Sequence, residues 1–160
     1  MNRFKGTGLH ACASAAVVLF GLAVWPSAAR ALDCVPVTED AIKQLFVDWN
    51  NALQTGNAGT VVALYASDAV LLPTLKSGPL IGPTDIAKYF KEEFLPKKPV
   101  GAIDGNHNIR IGCNMAVDAG LYTFTYRKEG EKPTPARYTY VYRYDGGRWL
   151  IAHHHSSVRP

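Results

Sequence analysis

The sequence predicts an α+β domain, its helices gathered on one face of a curved antiparallel sheet. Three observations predict it. Between residues 38 and 94 the apolar side chains recur at helical spacing. From Val100 onward they alternate as strands do. The strand-like runs also follow one another through short turns, which makes an antiparallel meander.

In chain order, the first segment stands apart from that domain. Arg3 and Lys5 precede an apolar run from Ala11 to Trp25. Pro26 and Ser27 end the run, and Ala29-Arg30-Ala31 has the small-x-small pattern of a cleavage site. Residues 1–31 therefore read as a secretory signal peptide. Residues 32–160 then form one domain, located in a periplasm or outside the cell. A membrane span needs about 20 apolar residues, and this run is shorter and rich in alanine. Of the 17 basic and 13 acidic residues, Arg3, Lys5 and Arg30 leave with the signal, so the domain keeps 14 against 13, a net charge of +1. A near-neutral domain without a basic run argues against nucleic acid as a partner, and nothing after residue 31 predicts a membrane contact. Cys12 leaves as well. Cys34 and Cys113 remain as an even pair in an oxidising compartment, which predicts a disulfide; two separate buried thiols are the alternative.

The helices come first. Ile42, Leu45, Phe46, Trp49 and Leu53 share one face, Thr38 is placed to cap the helix, Glu39 and Asp40 suit its first turn, and Gly56 ends it. Asn57 opens a short second helix that runs through Leu64 and Tyr65. Ala69 to Leu72 reads as a strand stopped by Pro73, with turns at Gly78-Pro79 and Gly82-Pro83. Thr84 opens a third helix with Ile86, Tyr89, Phe90 and Phe94 on one side, ended before Pro96.

Four strands follow, at about 102–111, 115–128, 134–144 and 149–157. The third alternates most cleanly. Tyr138, Tyr140, Tyr142 and Tyr144 fall on one face, and Arg137, Thr139, Val141 and Arg143 on the other. A row of tyrosines is too much aromatic area to leave bare, and Tyr suits an interface. The row, chiefly Tyr138, Tyr140 and Tyr142, is therefore expected on the outer face of the sheet as a homodimer contact. The alternative places the tyrosines under the helices.

The stretch Gly147 to Pro160, with Trp149-Leu150-Ile151-Ala152-His153-His154-His155-Ser156-Ser157-Val158-Arg159, is similar to the last strand of the association domain of calcium/calmodulin-dependent protein kinase II. It resembles still more closely the bacterial proteins of that type, the SgcJ/EcaC or SnoaL-like group. Asn50 to Asn57, Val117 to Phe124 and Tyr138 to Arg143 carry the resemblance further. It implies the cone-shaped fold of nuclear transport factor 2, subunits paired through the sheet, and a pocket inside the cone that often takes a small molecule. Such a fold names no reaction. Laid on the kinase domain, the pocket arginines that suit a carboxylate fall at Tyr122, Thr139 and Ser156, all neutral here, so carboxylate binding is not expected.

If Ser156 faces the pocket, His154 does too, and Asp118 shares its face with Tyr122. His154 and Asp118 could then meet across the sheet as an acid-base pair, with Tyr122 as an oxyanion donor; a solvated Asp118 and a satisfied His154 in the pocket wall are the alternative. Trp49 and Tyr65 are expected as pocket walls or core, and His107 and Arg137 at the pocket mouth. His153 and His155 share a face but lack a third ligand, so no metal is expected. No phosphate loop, nucleophile elbow or cofactor fingerprint is present in the sequence, and no cofactor is expected. The function this predicts is an exported, oligomeric module that binds a small molecule. A cofactor-independent isomerase, dehydratase or hydrolase using His154 and Asp118 is the alternative.

Overall fold

The computed structural model describes residues 33–74, 76–128 and 133–160. The predicted signal peptide lies outside them. Helix α1 spans Glu39–Gln54. Thr38 Oγ1 accepts the amide hydrogen of Ala41 at 3.2 Å, and Gly56, at φ +65°, turns the chain away after the last turn. Its stripe of Ile42, Phe46, Trp49, Ala52 and Leu53 is buried. Large side chains fully buried contribute roughly 1.5–3 kcal/mol each, which fixes this helix to the sheet.

Helix α2 is shorter than the sequence predicts, Ala58–Val62, capped by Asn57. Tyr65 does not belong to it. Tyr65 opens strand β1, Tyr65–Leu72, because its ring is drawn into the core beside Trp49. A two-residue strand, β2 (Leu80–Ile81), pairs with β1, and helix α3 begins at Gly82 rather than Thr84. Gly82 has φ +74°, and Pro83 takes the first turn, where its missing N–H costs nothing. After Tyr89 the helix widens over Phe90–Phe94 into a π segment and closes with a tight turn at Leu95–Lys97. The wide turn keeps both Phe90 and Phe94 on the buried side.

The meander is as expected, with β3, β5 and β6 slightly longer and β4 two residues shorter: β3 Pro99–Gly112, β4 Met115–Tyr126, β5 Thr134–Asp145 and β6 Arg148–Val158. The six-stranded sheet has the order β2-β1-β6-β5-β4-β3, with β1 parallel to β6. Cys34 and Cys113 are bonded. Beside them Val35 N donates to Asn114 Oδ1 and Asn114 Nδ2 donates to the Asp33 carbonyl. These three links tie the start of the domain to the β3–β4 turn.

Two bulges set what faces the inside. In β6, Ile151 pairs with Tyr142 and His153 with Val141, so Ala152 is extra. The alternation slips there, and Ile151, His154 and Ser156 all point under the helices while His153 and His155 point out. In β3, Asp104 pairs with Leu121 and Asn108 with Ala119, so residues 105–107 stand against Gly120 alone. Gly105, at φ +82°, allows that loop.

The tyrosine row corrects the expected face. Tyr138, Tyr140 and Tyr142 are 2 %, 0 % and 1 % exposed and lie inside, so they form no subunit contact. Phe46 and Trp49 of α1 pack on Tyr140 at ring distances of 6.3 and 5.8 Å. The inside of a cone is a volume, and only rings of that size fill it from one strand. Arg137 and Thr139 are thereby turned to the outer face, away from the inside of the cone.

Candidate functional site

The centre of the cone is a hydrogen-bonded line running from helix to sheet. Trp49 Nε1 donates to Tyr65 Oη at 3.1 Å, and Tyr65 Oη lies 2.9 Å from His154 Nδ1. Tyr140 stacks on the His154 ring at 4.1 Å, and Trp49 meets it edge-on at 5.3 Å. His154 is 3 % exposed. Burial, and secondarily its neighbours His155 and His153, push its pKa down to about 3, so it is a neutral imidazole at ordinary pH. Its Nε2 is buried with no hydrogen-bond partner among the described residues.

Beside this line lies a cavity. Its space open to the centre of a water molecule is about 30 Å³. Tyr89, Phe90, Phe94, Phe124 and Tyr126 form ring walls; Trp49, His154, Tyr122 and Ser156 line the sheet and helix side. Tyr122 Oη donates to Ser156 Oγ at 2.6 Å, and Ser156 Oγ meets Thr74 Oγ1 at 2.6 Å. Burial raises the Tyr122 pKa, so this hydroxyl keeps its proton and acts only as a neutral group. Among the described residues no Asp, Glu, Lys or Arg lines the cavity.

A second cluster sits at the β3 bulge. His107 Nδ1 lies 2.7 Å from Asp118 Oδ2, and Tyr138 Oη donates to Asp118 Oδ1 at 3.2 Å. Asp118 is fully buried, while the His107 side chain is 16 % exposed. Gly120 makes this cluster possible, since a Cβ there would stand 2.9 Å from Tyr138 Oη. A buried carboxylate needs such partners, and the bulge delivers the imidazole to it.

The structure thus sorts the expected residues. Trp49, Tyr122, His154 and Ser156 line one cavity, and Tyr65 supports it through His154. His107 is not at its mouth but on Asp118. Asp118 and His154 share the inner face but do not meet: Asp118 pairs with Tyr140 across one strand boundary and Tyr140 with His154 across the next. The Tyr140 ring fills the gap. Arg137 and Thr139 face outward. The lining residues not anticipated include Thr74, Tyr89, Phe90, Phe94, Phe124 and Tyr126. The helical stripe of the third helix already contained both phenylalanines, but nothing in spacing distinguishes core from pocket wall. Among the described residues no cluster of three His, Cys, Asp or Glu side chains could hold a metal.

Residues 38–160 match the family described as calcium/calmodulin dependent protein kinase II association domain. The chain belongs to that family. As an association domain it is similar to a Xanthomonas campestris protein assigned to the same family, with 43 % identity over 80 % of this chain and 95 % of the other, at a TM-score of 0.71. It also shares its fold with a nuclear transport factor 2-like protein of unknown function from Pseudomonas putida KT2440, at 21 % identity, 74 % and 84 % coverage and a TM-score of 0.65. A hexachlorocyclohexane dehydrochlorinase from Novosphingobium barchaimii has the fold too, at 16 % identity, 76 % and 86 % coverage and a TM-score of 0.62. A comparison with curated proteins returned no match. The cone and its curved sheet are therefore those of the nuclear transport factor 2-like superfamily.

Proposed function

We propose that this association domain is an exported homo-oligomer that holds a small molecule inside its cone. The observation that carries the reading is the ring-walled cavity at the centre of the domain, lined by neutral hydroxyls and one buried imidazole. Export rests on the N-terminal segment and agrees with the Cys34–Cys113 bond. Association rests on the family and on the outer face of the sheet. There Val117, Val141, His153 and Val70 form one cross-strand row, and Ala119, Thr139, His155 and Leu72 the next. The described helices leave this side uncovered, and its half-apolar surface suits a second copy.

The geometry favours binding over acid-base catalysis. His154 has no carboxylate beside it, and its basic lone pair at Nδ1 is turned to Tyr65 rather than into the cavity. Native mass spectrometry of protein recovered from the periplasm, without reductant, tests the reading. The expected result is the mass of residues 32–160 less two hydrogens, as a dimer or larger, carrying a small organic adduct. Val141→Glu is expected to yield monomers that keep the fold. A wild-type monomer, or a chain retaining residues 1–31, would sink the corresponding part of the proposal.

A further inference from the structure

His153 and His155 point out of β6, on the face of the sheet that the described helices leave uncovered, and each is half-buried there. Two positions apart on one face of a strand is about 6.7 Å, close enough for two imidazoles to lean onto one ion. Strand pairing sets Val70 beside His153, and the Val70 carbonyl lies 3.0 Å from His153 Nδ1. A carbonyl only accepts, so Nδ1 carries the hydrogen and the neutral ring keeps its lone pair on Nε2. Metal-ligating histidines commonly give their other N–H to such a carbonyl, which fixes ring and tautomer. His153 Nε2 and both ring nitrogens of His155 have no hydrogen-bond partner among the described residues, and unlike His154 Nε2 they are not enclosed. Their cross-strand neighbours, Val141, Val70, Thr139 and Leu72, bring no charge to the spot.

We infer that His153 and His155 form half of a zinc-type metal site, completed by the same pair from a second copy of this chain. This rests on the proposed pairing through the outer sheet face and deepens it. Ligand counting carries the step. One chain supplies two nitrogens, and among the described residues no third His, Cys, Asp or Glu joins them. A two-fold axis presents the same patch from both subunits. Two imidazoles then become four, the number a closed tetrahedral zinc site takes, each nitrogen about 2 Å from the ion. Imidazole donors suit zinc, copper or nickel and not calcium or magnesium. The fixed tautomer points the same way. Where the two-fold brings His153 against its copy, lone pair faces lone pair, and a cation between them satisfies both.

Tag-free protein from the periplasm, stripped with chelator and titrated with zinc chloride at pH 7.5, tests this. Native mass spectrometry is expected to show one zinc per two chains. Cobalt chloride in place of zinc should give the intense visible absorption of a tetrahedral ion. In sedimentation, zinc should tighten the dimer by roughly tenfold or more, and chelator should reverse it. His153→Gln and His155→Gln should each abolish the tightening while matching the circular dichroism of the metal-free wild type. One zinc per chain, no bound zinc, or a zinc effect that survives either substitution would overturn the shared site. A dimer indifferent to zinc would mean that the histidines hydrogen-bond across the interface instead; it would overturn the metal site and leave the association reading standing. A monomer both with and without zinc would overturn both.

Discussion

His154 shows how one residue's surroundings decide its chemistry. On sequence it is the middle of three histidines and a candidate base. In the fold, burial and two neighbouring histidines hold it neutral, with a pKa of about 3. The consequence for stability has a definite sign. The unfolded chain binds a proton at this site near pH 6.5, and the folded chain does so only near pH 3. Between those values the unfolded state carries more protons, so stability is fully present above about pH 6.5 and is lost as pH falls towards 3. The slope from this group is at most about 1.4 kcal/mol per pH unit. Urea unfolding at pH 7, 6 and 5 measures it. In His154→Gln, which carries no titrating ring, the decline over that range should be shallower by about that amount. An identical decline would show that His154 does not titrate on unfolding as described.

At the scale of elements, the strands and helices were legible because period reports them. The helical stripe from Ile42 to Leu53 and the alternation from Arg137 to Tyr144 both appear in the structure. Which face of β5 lies inside was not legible. Period two separates two faces without saying which one is covered, and the tyrosines turned inward because only they fill the cone. The two bulges were also invisible, since an extra residue such as Ala152 leaves no mark in composition. They account for much of the site: the β6 bulge puts His154 on the same face as Ile151, and the β3 bulge brings His107 to Asp118 instead of to the cavity. The second of these is testable as an element. His107→Ala removes a partner from a buried carboxylate, which should cost about 3 kcal/mol and speed hydrogen exchange along β3. Asp118→Asn, which keeps the shape and an acceptor, should cost less. A loss below roughly 0.5 kcal/mol in His107→Ala would mean that the pair does not hold the bulge in place.

For the whole molecule, the largest single constraint outside the core is the link from Cys34 to Cys113, separated by 79 positions in sequence. Closing a loop of that length removes chain entropy from the unfolded state, worth about 4 kcal/mol before any native strain. Reduction is expected to lower the urea midpoint accordingly, while Asn114 still holds Asp33 and Val35 through hydrogen bonds in the folded state. An unchanged midpoint after complete reduction would show that the bond adds nothing to equilibrium stability. The link also orders events in time. Were the chain exported N-terminus first, as proposed, Cys34 would cross the membrane early and wait while α1, α2, β1, β2, α3 and β3 follow, because its partner would emerge only with the β3–β4 turn. Once a leader bearing Cys12 is cut away, no third thiol remains in the chain to compete during that wait, so intramolecular oxidation has only one product. Cleavage of the leader would in this way also act as proofreading of the disulfide.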